Sequence, residues 1–180
     1  AERWPEALDR FKEEFERVSG VFHRVRTLDD VPGVIGQIAR EHGARRVVTW
    51  SASALGWDPA PGFLREGLEA TAMPEGSADG DVAASLRATH AGAEIGLTGA
   101  DLSVAETGSL VLFSGVGKPR STSLLPPYHV AVFGKASLVE TLEQAGVIFE
   151  ALHADPQLGI GGSISFITGP IAAGPEAPRR

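Results

Sequence analysis

The sequence predicts an α/β fold: a single domain with a largely parallel sheet flanked by helices, and an N-terminal helical extension. Short β-rich apolar runs, Val47-Val48-Thr49-Trp50, Leu110-Val111-Leu112-Phe113, Val130-Ala131-Val132-Phe133 and 163–168, alternate with stretches of helical periodicity. Such alternation needs crossover connections, which place helices on both faces of a parallel sheet. A chain of 180 residues that is 43% apolar has enough to bury one core. It contains no cysteine, so the core must hold without disulfides.

Trp4, Leu8, Phe11, Phe15, Val18 and Phe22 recur every three or four residues, the period of an amphipathic helix, and Pro5 suits its first turn. The aromatic stripe packs on the core or docks a partner, and core packing is the default for such a stripe. A second helix is expected over 30–42, stopped by Gly43. The strand at Val47 follows, then a helix over 62–73, a loop over 74–80, and a helix from Val82 to Thr89 capped by Asp81. A helix over 138–152 separates the last two strands, and the Pro-rich end from 171 to 180 reads as a disordered tail. The boundaries are therefore 1–43 for the helical extension and 44–170 for the α/β domain.

The formal net charge is −7. Between Glu66 and Gly117 eight acids (Glu66, Glu69, Glu75, Asp79, Asp81, Glu94, Asp101, Glu106) face one base, Arg87, a balance that repels phosphate backbones and argues against nucleic-acid binding. Without cysteine the chain holds no thiolate zinc and no cysteine-bound iron–sulfur cluster, and its five histidines lack metal-binding spacing. No metal site and no resident cofactor are expected. No apolar run approaches the roughly 20 residues of a membrane span, and the charged N-terminus resembles no signal peptide, so a cytoplasmic protein is expected.

Polar chemistry concentrates between Thr98 and Pro127. Ligands of parallel α/β sheets sit at the carboxyl ends of strands, and the ends available include Glu106-Thr107-Gly108, the loop from Ser114 to Gly117, and Thr168-Gly169. Lys118 and Arg120 are the only Lys or Arg between Arg87 and Lys135. With Gly115, Gly117 and their backbone amides they form a flexible anion-binding loop, or else a mobile loop with ordinary solubilising charges. The loop is not a nucleotide cradle, because a Walker pattern needs Gly and Ser or Thr where Leu112 and Pro119 stand, and a dinucleotide fingerprint needs Gly at Arg120.

Two residues are candidates for acid–base catalysis. Glu106, between a strand and a Thr-Gly turn, is either a general base with Asp101 nearby or a structural carboxylate accepting backbone N–H bonds. His129 alone among the histidines has a motif around it, and it is either a ligand-contacting proton carrier or a satisfied histidine at the proline corner. The other four, His90 included, sit at helix ends or faces where a polar surface role is the default. Asp101 reads as a ligand contact or a turn acid. Ser123 begins a wall of Leu124, Leu125, Pro126 and Pro127. Glu106, Thr107, Ser123 and His129 are expected to line one pocket.

Gly99-Ala100-Asp101, Ala105-Glu106-Thr107-Gly108-Ser109, Ser123-Leu124-Leu125-Pro126-Pro127-Tyr128-His129 and Ile167-Thr168-Gly169-Pro170 resemble, in order and spacing, the LUD domain of the lactate-utilisation protein C family. The resemblance covers the chain from about Arg87 onward. It implies the fold of sugar-phosphate isomerases, CoA transferases and formyltetrahydrofolate cyclo-ligases, in which a glutamate placed like Glu106 can be catalytic. It also implies a role in oxidising L-lactate to pyruvate beside iron–sulfur partner proteins, with this chain as an accessory or small-carboxylate-binding subunit. The alternative is a stand-alone isomerase, transferase or cyclo-ligase acting on a small anionic substrate, with Glu106 as base or nucleophile.

After Pro170 the sequence departs from the family, lacking its Ser-Arg-Thr-Ala-Asp-Ile-Glu segment and last strand. The strand at 163–168 is therefore expected to form a sheet edge, shielded by the N-terminal helix or paired with another chain.

Overall fold

The computed structural model describes residues 3–76, 80–154 and 162–168. The expectations for Gly169, Pro170 and the tail lie outside them. Two compact units divide the chain, one formed by His23–Gly99 with Ser114–Val132, the other by Ala1–Phe22, Ala100–Phe113 and Phe133–Arg180.

The first unit holds an all-parallel sheet in the order β2-β1-β3-β6, with β1 at Arg46–Thr49, β2 at Glu69–Ala72, β3 at Ile95–Gly99 and β6 at Tyr128–Val132. Helix α2 (Val31–His42) buries Val31, Ile35 and Ala39 against Val47, Phe63, Ile95 and Leu97. It ends as expected at Gly43, which has φ 66°. Of the helix expected over 62–73, only the first residues are helical, as the end of α4 (Ala60–Arg65), which a short α3 (Ala52–Leu55) precedes; Glu69–Ala72 form the strand β2 instead. Gly67 takes φ 72° and ends the helical path, and residues 69–72 pair in parallel register with β1. Helix α5 (Gly80–Gly92) begins close to the expected start and runs three residues past Thr89. Helix α6 (Ser121–Leu124) lies against β3, where a Cβ on Gly96 would overlap the carbonyl oxygen of Thr122. Glycine is what allows that approach.

In the second unit the sheet is mixed, in the order β7-β4-β5-β8. The strands are β4 (Leu102–Val104), β5 (Ser109–Phe113), β7 (Leu138–Val139) and β8 (Ile164–Ile167); β5 runs antiparallel to both β4 and β8, and β7 runs parallel to β4. Leu102, Val104 and Val111 pack on Ala145 of helix α7 (Leu142–Ala154). That helix starts four residues later than the sequence predicts, because Leu138 and Val139 extend and pair with β4. Helix α1 (Trp4–Arg17) buries Leu8 and Phe11, and the Phe11 ring meets those of Phe15, Phe22 and Phe133 at centroid distances of 5.5, 6.3 and 4.9 Å. The aromatic stripe is internal to its unit. It packs beside β7, so the expected shielding of the β8 edge by this helix does not occur; β8 is the opposite edge of the sheet.

Candidate functional site

In the parallel-sheet unit, the loop after β5 folds into a tight turn. The Gly115 N–H donates to the Lys118 carbonyl at 3.2 Å and the Lys118 N–H to the Gly115 carbonyl at 3.0 Å. Gly117 has φ 71°, and a Cβ there would overlap the Ser51 hydroxyl. Its carbonyl accepts from the Ser51 N–H at 2.9 Å, which ties the turn to the carboxyl end of β1. The Trp50 indole N–H donates to the Pro119 carbonyl at 3.4 Å, and the Lys118 Nζ stands 5.1 Å from the centre of that ring. The expectation of a flexible loop with its amides offered to an anion is thus corrected: two of its amides are spent within the turn, and the buried Trp50 bonds its Pro119 carbonyl. Lys118 remains half-buried and Arg120 exposed.

Ser123, the third residue of α6, is buried and its Oγ donates to the Arg120 carbonyl at 3.0 Å. His129 on β6 pairs in register with Gly96, and its Nε2 lies 2.8 Å from the Oγ1 of the buried Thr98. The residue as a whole is half-buried, and burial of the imidazole pushes its pKa down to about 4. It is neutral at pH 7.

Two features here escape sequence reading. Ser53 on α3 gives both its N–H, at 3.1 Å, and its hydroxyl to the Glu75 carboxylate, which holds that carboxyl below its usual range. No motif joins residues 22 positions apart. His90 is the second: it is 1% exposed, not a surface residue, and its Nδ1 and Nε2 lie 3.1 and 3.3 Å from the hydroxyls of Ser121 and Thr122.

In the mixed-sheet unit, Glu106, Thr107 and Gly108 form the turn between β4 and β5, Thr168 meets it through Ser109, and Asp101 lies at the other end of the hairpin. The Glu106 Oε2 accepts from the Leu142 N–H at 2.9 Å, at the first turn of α7, and its own N–H donates to the Glu140 carbonyl at 3.0 Å. Thr107 Oγ1 donates to Ser109 Oγ at 2.7 Å, and Ser109 Oγ bonds Thr168 Oγ1. Gly108 has φ 62°, and a Cβ there would overlap the backbone of α1 at Glu14 and Phe15. Asp101 Oδ2 accepts from the Phe113 N–H at 2.8 Å. Glu106 and Thr107 therefore belong to one unit and Ser123 and His129 to the other; Gly169 lies outside the described residues.

No helix among the described residues is long and apolar enough to cross a membrane. The LUD domain profile matches residues 8–174. A lactate utilization protein C of Halalkalibacterium halodurans is 35% identical over 79% of this chain and 59% of its own length, and one of Macrococcus caseolyticus is 28% identical over 80% and 58%. The chain thus spans somewhat over half the length of these relatives. The electron transport protein YkgF of Escherichia coli is 36% identical over 49% of this chain and 19% of its own length. A DUF162 family protein of Deinococcus radiodurans has the same fold, with a TM-score of 0.64 over 93% of this chain and 89% of its own at 22% identity. The motifs around Glu106 and His129, the α/β architecture and the profile match over nearly the whole sequence agree: the chain belongs to the LUD domain family.

Proposed function

We propose that this chain is a component of an L-lactate utilisation system, binding a small carboxylate while iron–sulfur partner proteins carry the electrons. The observation that supports this most is the 35% identity to a lactate utilization protein C over 79% of the chain. The absence of cysteine fits an accessory role, since the sequence has no thiolate to hold a cluster. We place it in the cytoplasm with those partners.

Lys118 and Arg120 are the residues we assign to the carboxylate. The turn that carries them is held by Ser51 and Trp50, so less order is lost when an anion binds. Ser123 fixes the carbonyl of Arg120 behind them. Glu106 and His129 each already have a structural partner, which favours a binding role for this chain over proton transfer. Deleting the gene is expected to impair growth on L-lactate while leaving growth on pyruvate normal, and a Lys118→Ala/Arg120→Ala chain should fail to restore it. Equal growth of the deletion strain and its parent on L-lactate would sink the reading.

A further inference from the structure

We propose that His90 is a proton-sensitive latch: neutral, it holds the first turn of α6 and the anion loop joined to it, and protonated, it lets them go. The geometry is specific. His90 stands near the end of α5, 1% exposed, and its ring reaches the hydroxyls of Ser121 and Thr122, the first two residues of α6. Those residues directly follow Lys118, Pro119 and Arg120. Thr122 is itself fully buried, with its carbonyl over Gly96.

A neutral imidazole has one N–H and one bare nitrogen. In either tautomer the bare nitrogen accepts a hydrogen bond from one of these two hydroxyls. Adding a proton turns that acceptor into a donor, so the hydroxyl must rotate its hydrogen away. For Thr122 there is no solvent to receive it.

Among the described residues, the charge would also arise with no carboxylate in an ion pair with the ring. Arg87 lies one turn earlier on α5, and Arg120 precedes α6. On β1, Arg46 is already paired with Glu94. β3 carries no charged residue, and β6 offers the neutral His129. Burial accordingly lowers the His90 pKa, and only a hydrogen bond to the Leu86 backbone opposes it.

The latch needs no ligand. Its consequence, weaker anion binding in acid, rests on the carboxylate role proposed above, and the two parts are tested separately. Histidine ring and backbone NMR of the full chain is followed from pH 8 to 4.5. The His90 ring is expected to titrate below the ordinary value of about 6.5, with the amides of Ser121, Thr122 and Ser123 moving at the same midpoint. In a His90→Gln chain, whose neutral amide keeps a donor and an acceptor, those amides should not move at that midpoint. A His90 ring titrating near 6.5, or α6 amides moving at a different midpoint in the native chain, overturns the latch even if the variant does not fold.

L-lactate is then titrated at pH 7.5 and one pH unit below the His90 midpoint found by NMR, with the native and the His90→Gln chains. At least threefold weaker binding at the lower pH in the native chain than in His90→Gln supports the coupling, and equal pH dependence of the two overturns it. L-lactate bound at neither pH, with the NMR result intact, counts against the carboxylate role and leaves the latch standing.

Discussion

The two units use the same raw material to different ends. Each places glycines, hydroxyls and a charged residue at the ends of short apolar strands. In the mixed-sheet unit the charges and hydroxyls turn inward: Glu106 takes an α7 amide, Asp101 takes a β5 amide, and Thr107, Ser109 and Thr168 bond one another. In the parallel-sheet unit the backbone is tied down at Gly117 and Pro119, while Lys118 lies half-buried over Trp50 and Arg120 is exposed. Polar side chains at a strand end hold the fold when backbone amides reach them, as Glu106 and Asp101 show, whereas the turn at Gly115–Lys118 is held by its own main chain.

The glycines separate these cases most sharply. Gly108 and Gly43 share a positive φ, 62° and 66°, but the space around them differs: the α1 backbone crowds Gly108 and nothing lies within 4 Å of a Cβ at Gly43. Gly43→Ala should cost about 1–2 kcal/mol in denaturant unfolding, the strain of the left-handed conformation alone. Gly108→Ala adds overlap with main chain and should cost about 3 kcal/mol or more. Equal losses would mean that α1 does not rest on this turn.

The histidine of the parallel sheet gives an effect of similar origin but set by pH. His129 binds its proton near pH 4 when folded and near 6.5 when unfolded. Between those values the unfolded state holds more protons, so stability is complete above about 6.5 and falls as the pH drops toward 4. The loss reaches at most about 3 kcal/mol. His129→Gln should flatten the pH dependence of unfolding measured between pH 4 and 7, and an unchanged slope would assign it to other groups.

Smaller effects sharpen the contrast between cap and cation. Glu106→Ala removes an α7 cap and should cost about 1 kcal/mol, whereas Glu106→Gln keeps an acceptor and should cost less. Lys118→Ala loses a cation–π contact worth about 0.5–1 kcal/mol. Comparable growth on L-lactate with Glu106→Gln and native chains, but not with the Lys118→Ala/Arg120→Ala chain, would place function in the parallel-sheet unit.

Much of this was legible in the residues. The three-four spacing from Trp4 marked α1, although the helix ends at Arg17, short of Phe22, where Ser19 takes φ 69°; Gly43 marked the end of α2, and the β-rich apolar runs marked β1 and β5, because these signals depend on near neighbours. The helix expected over 62–73 failed since periodicity alone cannot see that β1 offers a parallel partner to residues 69–72. Likewise Leu138 and Val139 read as helix until β4 pairs with them.

Composition, charge and the order of the motifs determined the fold class, the family and the stretch in which polar chemistry gathers, since these are properties of types and spacings along the chain. Only the tertiary structure decided what each polar group is for. Whether Glu106 caps a helix, whether His90 is buried under two hydroxyls, and whether Ser53 meets Glu75 depend on contacts between segments 22 to 36 residues apart. Hydrogen-bond partners that distant leave no spacing to read.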